Sequence, residues 1–193
     1  MKSKIITKHN KLKTVCLALL SVLVLAAAGF LIWTAFYYHA DSTAEAVLQN
    51  DSSIETSGNL VILPAENSAA ALIFYPGAKV EAISYLPLLE KIRSSAGITC
   101  ILVKMPLNLA FFNENAADSV IDTYPDIKTW YIGGHSLGWA MASSYASKNQ
   151  DRVSGLILLG AYVYGDYPPA EALTVYGTFN SDLEKRSIIR IIS

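Results

Sequence analysis

The spacing of apolar and polar positions divides the chain into three stretches of different character. From Val15 to Tyr38 no charged residue occurs, and Leu, Val, Ala, Phe and Ile dominate. As a helix this run would extend roughly 36 Å, enough to cross a bilayer. A polar stretch follows from His39 to Gly58, rich in Asp, Ser, Thr, Asn and Glu. It reads as a stalk, with Ala44-Glu45-Ala46-Val47-Leu48 able to form a short helix. Beyond it, short aliphatic and β-branched runs predict strands at Leu60–Leu63, Ala70–Tyr75, Thr99–Lys104, Trp130–Ile132, Ser154–Leu159 and Leu173–Tyr176. Helical patterns lie between them. Glu81–Ser95 places Ile83, Leu86, Leu89 and Ile92 along one face, Glu114–Thr123 is a weaker helix, and Leu137–Lys148 is a third. Strands alternating with helices predict an α/β domain over 59–193, with a doubly wound, mostly parallel sheet whose functional groups gather at the carboxyl ends of its strands.

Charge orients this arrangement. Lys2, Lys4, Lys8, Lys11 and Lys13 precede the apolar run, and no Lys or Arg occurs between Lys13 and Lys79. By the positive-inside rule, residues 1–14 stay in the cytoplasm, 15–38 span the membrane and the remainder is exported. A cleaved signal peptide is the competing reading, since a basic start, an apolar core and Ala26-Ala27-Ala28 are all present. The run continues past those alanines through Phe30, Leu31, Ile32 and Trp33, which favours an anchor. All 16 acidic residues follow Tyr38, against ten of the 15 basic ones, so the exported part carries a net charge near −6. Nucleic acid and anionic surfaces are therefore not expected partners. Part of the high mean hydropathy, +0.34, belongs to the membrane run. Cys16 lies in that run and Cys100 in a predicted buried strand, so no disulfide is expected; with three scattered histidines, neither is a metal or other cofactor.

The chemistry centres on Trp130-Tyr131-Ile132-Gly133-Gly134-His135-Ser136-Leu137-Gly138, an apolar strand running through Gly-x-Ser-x-Gly into a helix. A nucleophilic serine at the tip of a sharp strand-to-helix turn needs glycine two positions before and two after, where side chains would collide with the neighbouring strand and helix. Gly134 and Gly138 occupy those places. The alternative is a glycine-rich loop in which Ser136 caps the helix that follows. A second stretch, Ile73-Phe74-Tyr75-Pro76-Gly77-Ala78-Lys79, ends a strand in a Pro-Gly turn. There the backbone N–H of Ala78, with that of Leu137 after the serine, is expected to form an oxyanion hole; a plain turn is the alternative.

These stretches, together with Leu102–Ala110 and Gly155–Tyr162, resemble the membrane-anchored bacterial α/β-hydrolases of the α/β hydrolase fold-5 group. The resemblance covers nearly everything from the anchor to about Thr178. It implies a serine hydrolase, esterase-like, acting on a small-molecule ester-like substrate, with Ser136 as nucleophile. In that group the elbow continues Gly-Gly; here Trp139 replaces the second glycine, which should reshape the pocket floor. The order in the fold is serine, acid, histidine. The family's acid position falls on Asn180, so Asp182, with Asp166 behind it, is the acid candidate, and both could equally be solvated loop charges. No histidine follows Ser136. His135 is expected to pack rather than to serve as base, His39 leaves the membrane interface and His9 lies before the membrane run. The tail from Phe179 to Ser193 departs from the family's pattern, so the chain is expected to be truncated or altered at its carboxyl end relative to those hydrolases. The alternative function is a catalytically inactive α/β-hydrolase fold or binding module.

Overall fold

The computed structural model describes residues 2–159 and 172–175, and the side chains of 13–159, 172 and 173. The chain divides into two compact units, Met1–Phe36 and Tyr37–Ser193. The first is a single helix, α1 (Lys2–Ala35). Within it Lys13–Ala35, 23 residues of mean hydropathy 2.8, is long and apolar enough to cross a membrane, a test that a signal sequence also passes. Two of its hydroxyls are satisfied within the helix: Ser21 Oγ donates to Leu17 O and Thr34 Oγ1 to Leu31 O, both at 2.9 Å. Such bonds let a polar side chain sit in an apolar helix without an orphaned donor.

Helix α1 ends at Ala35, and Tyr38, at the far end of the apolar run, is extended and pairs with Val80. The segment expected as a stalk is part of the second unit. Asp41 caps α2 (Ser42–Asn50) by accepting the Ala44 N–H (2.9 Å), and Ala44 is buried. Such a cap satisfies one of the donors that a helix start leaves open. Arg93 reaches across to Asp51 and Ser53, fastening the end of α2 to α3 (Leu86–Ala96). That helix starts later than the expected Glu81 because Pro87, at its first turn, is preceded by a separate 3-10 turn, Ala82–Tyr85.

Seven strands form one sheet: β1 (Glu55–Ser57), β2 (Leu60–Leu63), β3 (Ala70–Tyr75), β4 (Thr99–Val103), β5 (Thr129–His135), β6 (Gly155–Leu159) and β7 (Ala172–Val175), in the order β1-β2-β4-β3-β5-β6-β7. The five strands from β4 to β7 in that order are parallel; β2 runs antiparallel to β4, and β1 to β2. The doubly wound, mostly parallel sheet expected from the alternating pattern is what forms, with an antiparallel hairpin added at one edge. Gly58, at φ 58°, makes the turn of that hairpin, a conformation glycine takes without strain.

The central strands are apolar on both faces because both are covered. In β3, Ala71, Ile73 and Tyr75 join a core with Ala142, Tyr145 and Ala146 of α5 (Leu137–Lys148) and Ala117 and Val120 of α4 (Ala116–Thr123). Leu72 and Phe74 face the other way, into a core with Leu86 and Leu89 of α3. This two-sided burial fixes the register, since a one-residue slip would exchange the two sets.

Candidate active site

Strands β3 and β5 lie side by side and end together, with Tyr75 opposite Gly134. The turns that leave these two strands therefore meet at the same end of the sheet. After β5 the chain turns at Ser136, the exposed residue between His135 and the first residue of α5. Its backbone stands at φ 52°, ψ −120°, a region that costs a non-glycine residue of order 1–3 kcal/mol. The Ser136 side chain makes no cap bond to α5, which removes the helix-cap reading.

The glycines around it are required by contact. A Cβ on Gly134 would lie 2.5 Å from the Gly138 carbonyl carbon and 2.6 Å from the Trp139 nitrogen. One on Gly138 would lie 2.1 Å from Tyr75 O and 2.3 Å from Pro76 O. Gly138 is thus the place where the start of α5 presses against the end of β3. Gly133, outside the five-residue pattern, is held as tightly, with Ile157 O 2.3 Å from where its Cβ would be. Its role was not read from the sequence, although an apolar strand ending in Gly-Gly signals a close backbone approach.

The turn after β3 carries Pro76, Gly77 and Ala78. The Gly77 N–H is committed, donating to Tyr85 Oη at 3.1 Å. Among the described residues, the N–H groups of Ala78 and Leu137 have no hydrogen-bond acceptor. The following Lys79 stands at φ 56° and donates its N–H to Asn108 O (2.8 Å), while its carbonyl accepts from Tyr38 N (2.7 Å). Two other segments of the unit, around Tyr38 and Asn108, therefore hold this turn in place.

His135 turns to the side occupied by Tyr85. Its Nδ1 is 2.9 Å from Tyr85 Oη. The neutral ring either accepts the Tyr85 proton at Nδ1 or, as the other tautomer, donates from Nδ1 to a second lone pair of the Tyr85 oxygen. Burial pushes the His135 pKa below its ordinary 6.5, which favours this neutral form. A Cβ on Gly77 would lie 2.7 Å from the same Nδ1, so glycine there admits the ring. His39 lies elsewhere, exposed, with Nδ1 3.4 Å from Glu81 Oε2. Asp182 and Asp166 are outside the described residues.

A buried phenol braces the carboxyl end of β3. Tyr75 Oη donates to Glu114 O (2.9 Å) and accepts the Ala117 N–H (2.8 Å), tying the first turn of α4 to the strand that leads into the Pro76–Ala78 turn. Burial pushes this hydroxyl well above the ordinary tyrosine value, so it remains a donor at all physiological pH. Tyr145 Oη donates to Asp118, which also accepts from Arg152, closing α4 onto α5. Among the described residues no group of three or more His, Cys, Asp or Glu side chains could hold a metal ion.

A family model described as "Alpha/beta hydrolase family" matches residues 71–190, more than half of the chain, from within β3 through the serine turn and beyond. The chain belongs to the alpha/beta hydrolase family. Solved structures with a similar fold include MenH from S. aureus (21% identity, 54% of this chain and 42% of that one, TM-score 0.46). A carboxyl esterase from Bacillus coagulans is also similar (21% identity, 56% and 43%, TM-score 0.42). So is a soluble variant of a monoglyceride lipase from Saccharomyces cerevisiae (14% identity, 57% and 44%, TM-score 0.43). This alpha/beta hydrolase spans less than half the length of each of these three structures. A search of the curated proteins finds no match.

Proposed function

We propose that this alpha/beta hydrolase is an exported, membrane-anchored serine hydrolase, esterase-like, in which the Ser136 hydroxyl attacks the carbonyl of a small ester-like substrate. The observation that carries the reading is the Ser136 backbone, held at φ 52°, ψ −120° with its side chain exposed at the carboxyl end of β5. Strain of this kind persists only where surrounding structure enforces it, and it puts a hydroxyl where a substrate can reach it. The N–H groups of Ala78 and Leu137, unengaged on either side of the Tyr75–Gly138 contact, are the donors for the oxyanion that develops as the carbonyl is attacked. Asp182 is the carboxylate proposed to orient the base. The lysine asymmetry around α1 supports the anchor, with the amino terminus cytoplasmic.

A serine hydroxyl needs a base to take its proton. With His135 occupied by Tyr85 and no histidine after Ser136, the base comes from His39 or from a group outside this sequence. That same observation favours a second reading, an inactive hydrolase fold that only binds, because loss of the histidine costs a serine triad about 10⁶-fold in turnover.

A fluorophosphonate probe separates the two. The full chain in detergent should label within minutes and the Ser136→Ala variant should not; His39→Ala then tells whether His39 is the base. Wild-type labelling no faster than that of Ser136→Ala would overturn the hydrolase reading and leave the binding module.

A further inference from the structure

Among the described residues from Tyr37 onward, the large apolar side chains that stand exposed are Tyr38 (76%), Leu107 (43%), Phe111 (47%) and Phe112 (46%). They lie on two segments far apart in sequence that hydrogen bonds lace together: Tyr38 N–H donates to Lys79 O (2.7 Å), and Lys79 N–H donates to Asn108 O (2.8 Å). The Phe111 and Phe112 rings lie with centroids 4.2 Å apart and planes tilted by 40°. From Met105 to Asn113 no residue is charged, although Pro106, Leu107, Phe111 and Phe112 in this run are exposed. Leu107 and Asn108 both stand at positive φ, 53° and 54°. A bulky leucine held in that strained conformation and left exposed is a poor way to bury apolar surface. It is an outlier of the kind that marks a working surface.

We infer that Tyr38, Leu107, Phe111 and Phe112 form a collar that seats in the headgroup layer of a lipid bilayer. Tyrosine is enriched at that layer, and phenylalanine and leucine are among the side chains that interfacial segments bury in it. The position of Tyr38 in the chain selects lipid over a protein partner. Only Phe36 and Tyr37 stand between it and Ala35, the last residue of the apolar helix, so the covalent chain reaches at most about 11 Å from one to the other. A collar containing Tyr38 cannot stray far from whatever surface that helix enters. The inference rests on the anchor reading of α1 and not on catalysis by Ser136.

The test places an environment-sensitive nitrobenzoxadiazole label on the full chain in phosphatidylcholine vesicles. Cys16→Ala removes the accessible thiol, and the remaining Cys100 is buried with its thiol pushed up to about 12, so it does not react at neutral pH. Single labels go on Phe112→Cys and, as a second position, Leu107→Cys. Asp126→Cys, exposed before β5 at the opposite end of that strand from Ser136, is the reference. Interfacial side chains sit about 5–10 Å into the headgroup and acyl boundary, so nitroxide-bearing phosphatidylcholine should quench the labels at 112 and 107 by about half or more and leave the one at 126 nearly unchanged. Quenching at 112 and 107 no greater than at 126 would overturn the inference. So would labels that escape the nitroxide lipid yet are shielded from aqueous iodide, which would mark a protein interface instead. Ser136→Ala should leave the quenching pattern unchanged, so failure of the collar and failure of the hydrolase reading are read separately.

Discussion

Substituting Gly138 by alanine tests how the serine turn is built. The added Cβ would lie 2.1 Å from Tyr75 O and 2.3 Å from Pro76 O, against an ordinary contact of 3.4 Å or more. Both opposing atoms are backbone, so no side chain can swing aside. Helix α5 and the end of β3 must separate by about 1 Å. Overpacking of this order costs about 1–3 kcal/mol, and two rigid contacts point to the upper end. For a chain of this size about 3 kcal/mol lowers the melting temperature by roughly 6–12 °C. The same separation pulls the Ala78 and Leu137 N–H groups apart, and a misplacement of about 1 Å costs about 10²-fold in rate wherever those donors act together. Thermal unfolding of the full chain in detergent, followed by near-ultraviolet circular dichroism, reads the first effect, and fluorophosphonate labelling reads the second. Gly97→Ala is the control: that residue stands at φ 65° with nothing within 4 Å of its Cβ, so its cost is conformational, about 1 kcal/mol. A Gly138→Ala melting temperature within about 2 °C of wild type would refute the steric account, since overpacking should lower it several-fold more.

Three further outcomes are expected. Tyr75→Phe strands the Ala117 N–H and the Glu114 carbonyl beside a buried ring and should cost about 1–3 kcal/mol in urea unfolding; an unchanged midpoint would mean that water replaces the phenol. Because burial lowers the His135 pKa in the folded state, the unfolded chain binds a proton first as pH falls, so stability is complete above about 6.5 and declines below it. His135→Asn should flatten the stability profile between about pH 7 and 5, and an unaltered slope would show that His135 does not titrate there. External protease added to cells stripped of their wall should digest the domain carrying Ser136, and its survival would reverse the proposed topology.

The sheet was legible because its strands are buried on both faces. Leu60–Leu63 and Ala70–Tyr75 form where their unbroken apolar runs place them, and α5 spans the expected Leu137–Lys148. Strand β5 runs three residues past the expected Ile132, because Gly133 and Gly134, poor strand formers, are paired on both sides, with Phe74 and Tyr75 and with Ile157 and Leu158. Strand β1 was missed: Glu55, Thr56 and Ser57 are all exposed, so no apolar alternation announces them. At the candidate site, Gly134 and Gly138 were readable because their requirement is a local collision. The Tyr85–His135 bond joins residues 50 apart in the chain, and nothing near either position signals it. The same holds for the left-handed Lys79 and Asn108, which a hydrogen bond joins across 29 positions of the chain.

The hairpin edge of the sheet has a consequence for crowding. An open apolar strand at the edge of a sheet templates pairing between copies of a protein that meet at high concentration. Here the outermost strand is three residues long, carries Glu55, Thr56 and Ser57, and is exposed throughout. It offers an incoming strand a short run of backbone groups, a carboxylate and no apolar face to bury. On this side the sheet is closed to growth by the brevity and polarity of one strand, so replacing Thr56 and Glu55 with valine should be enough to turn the edge adhesive.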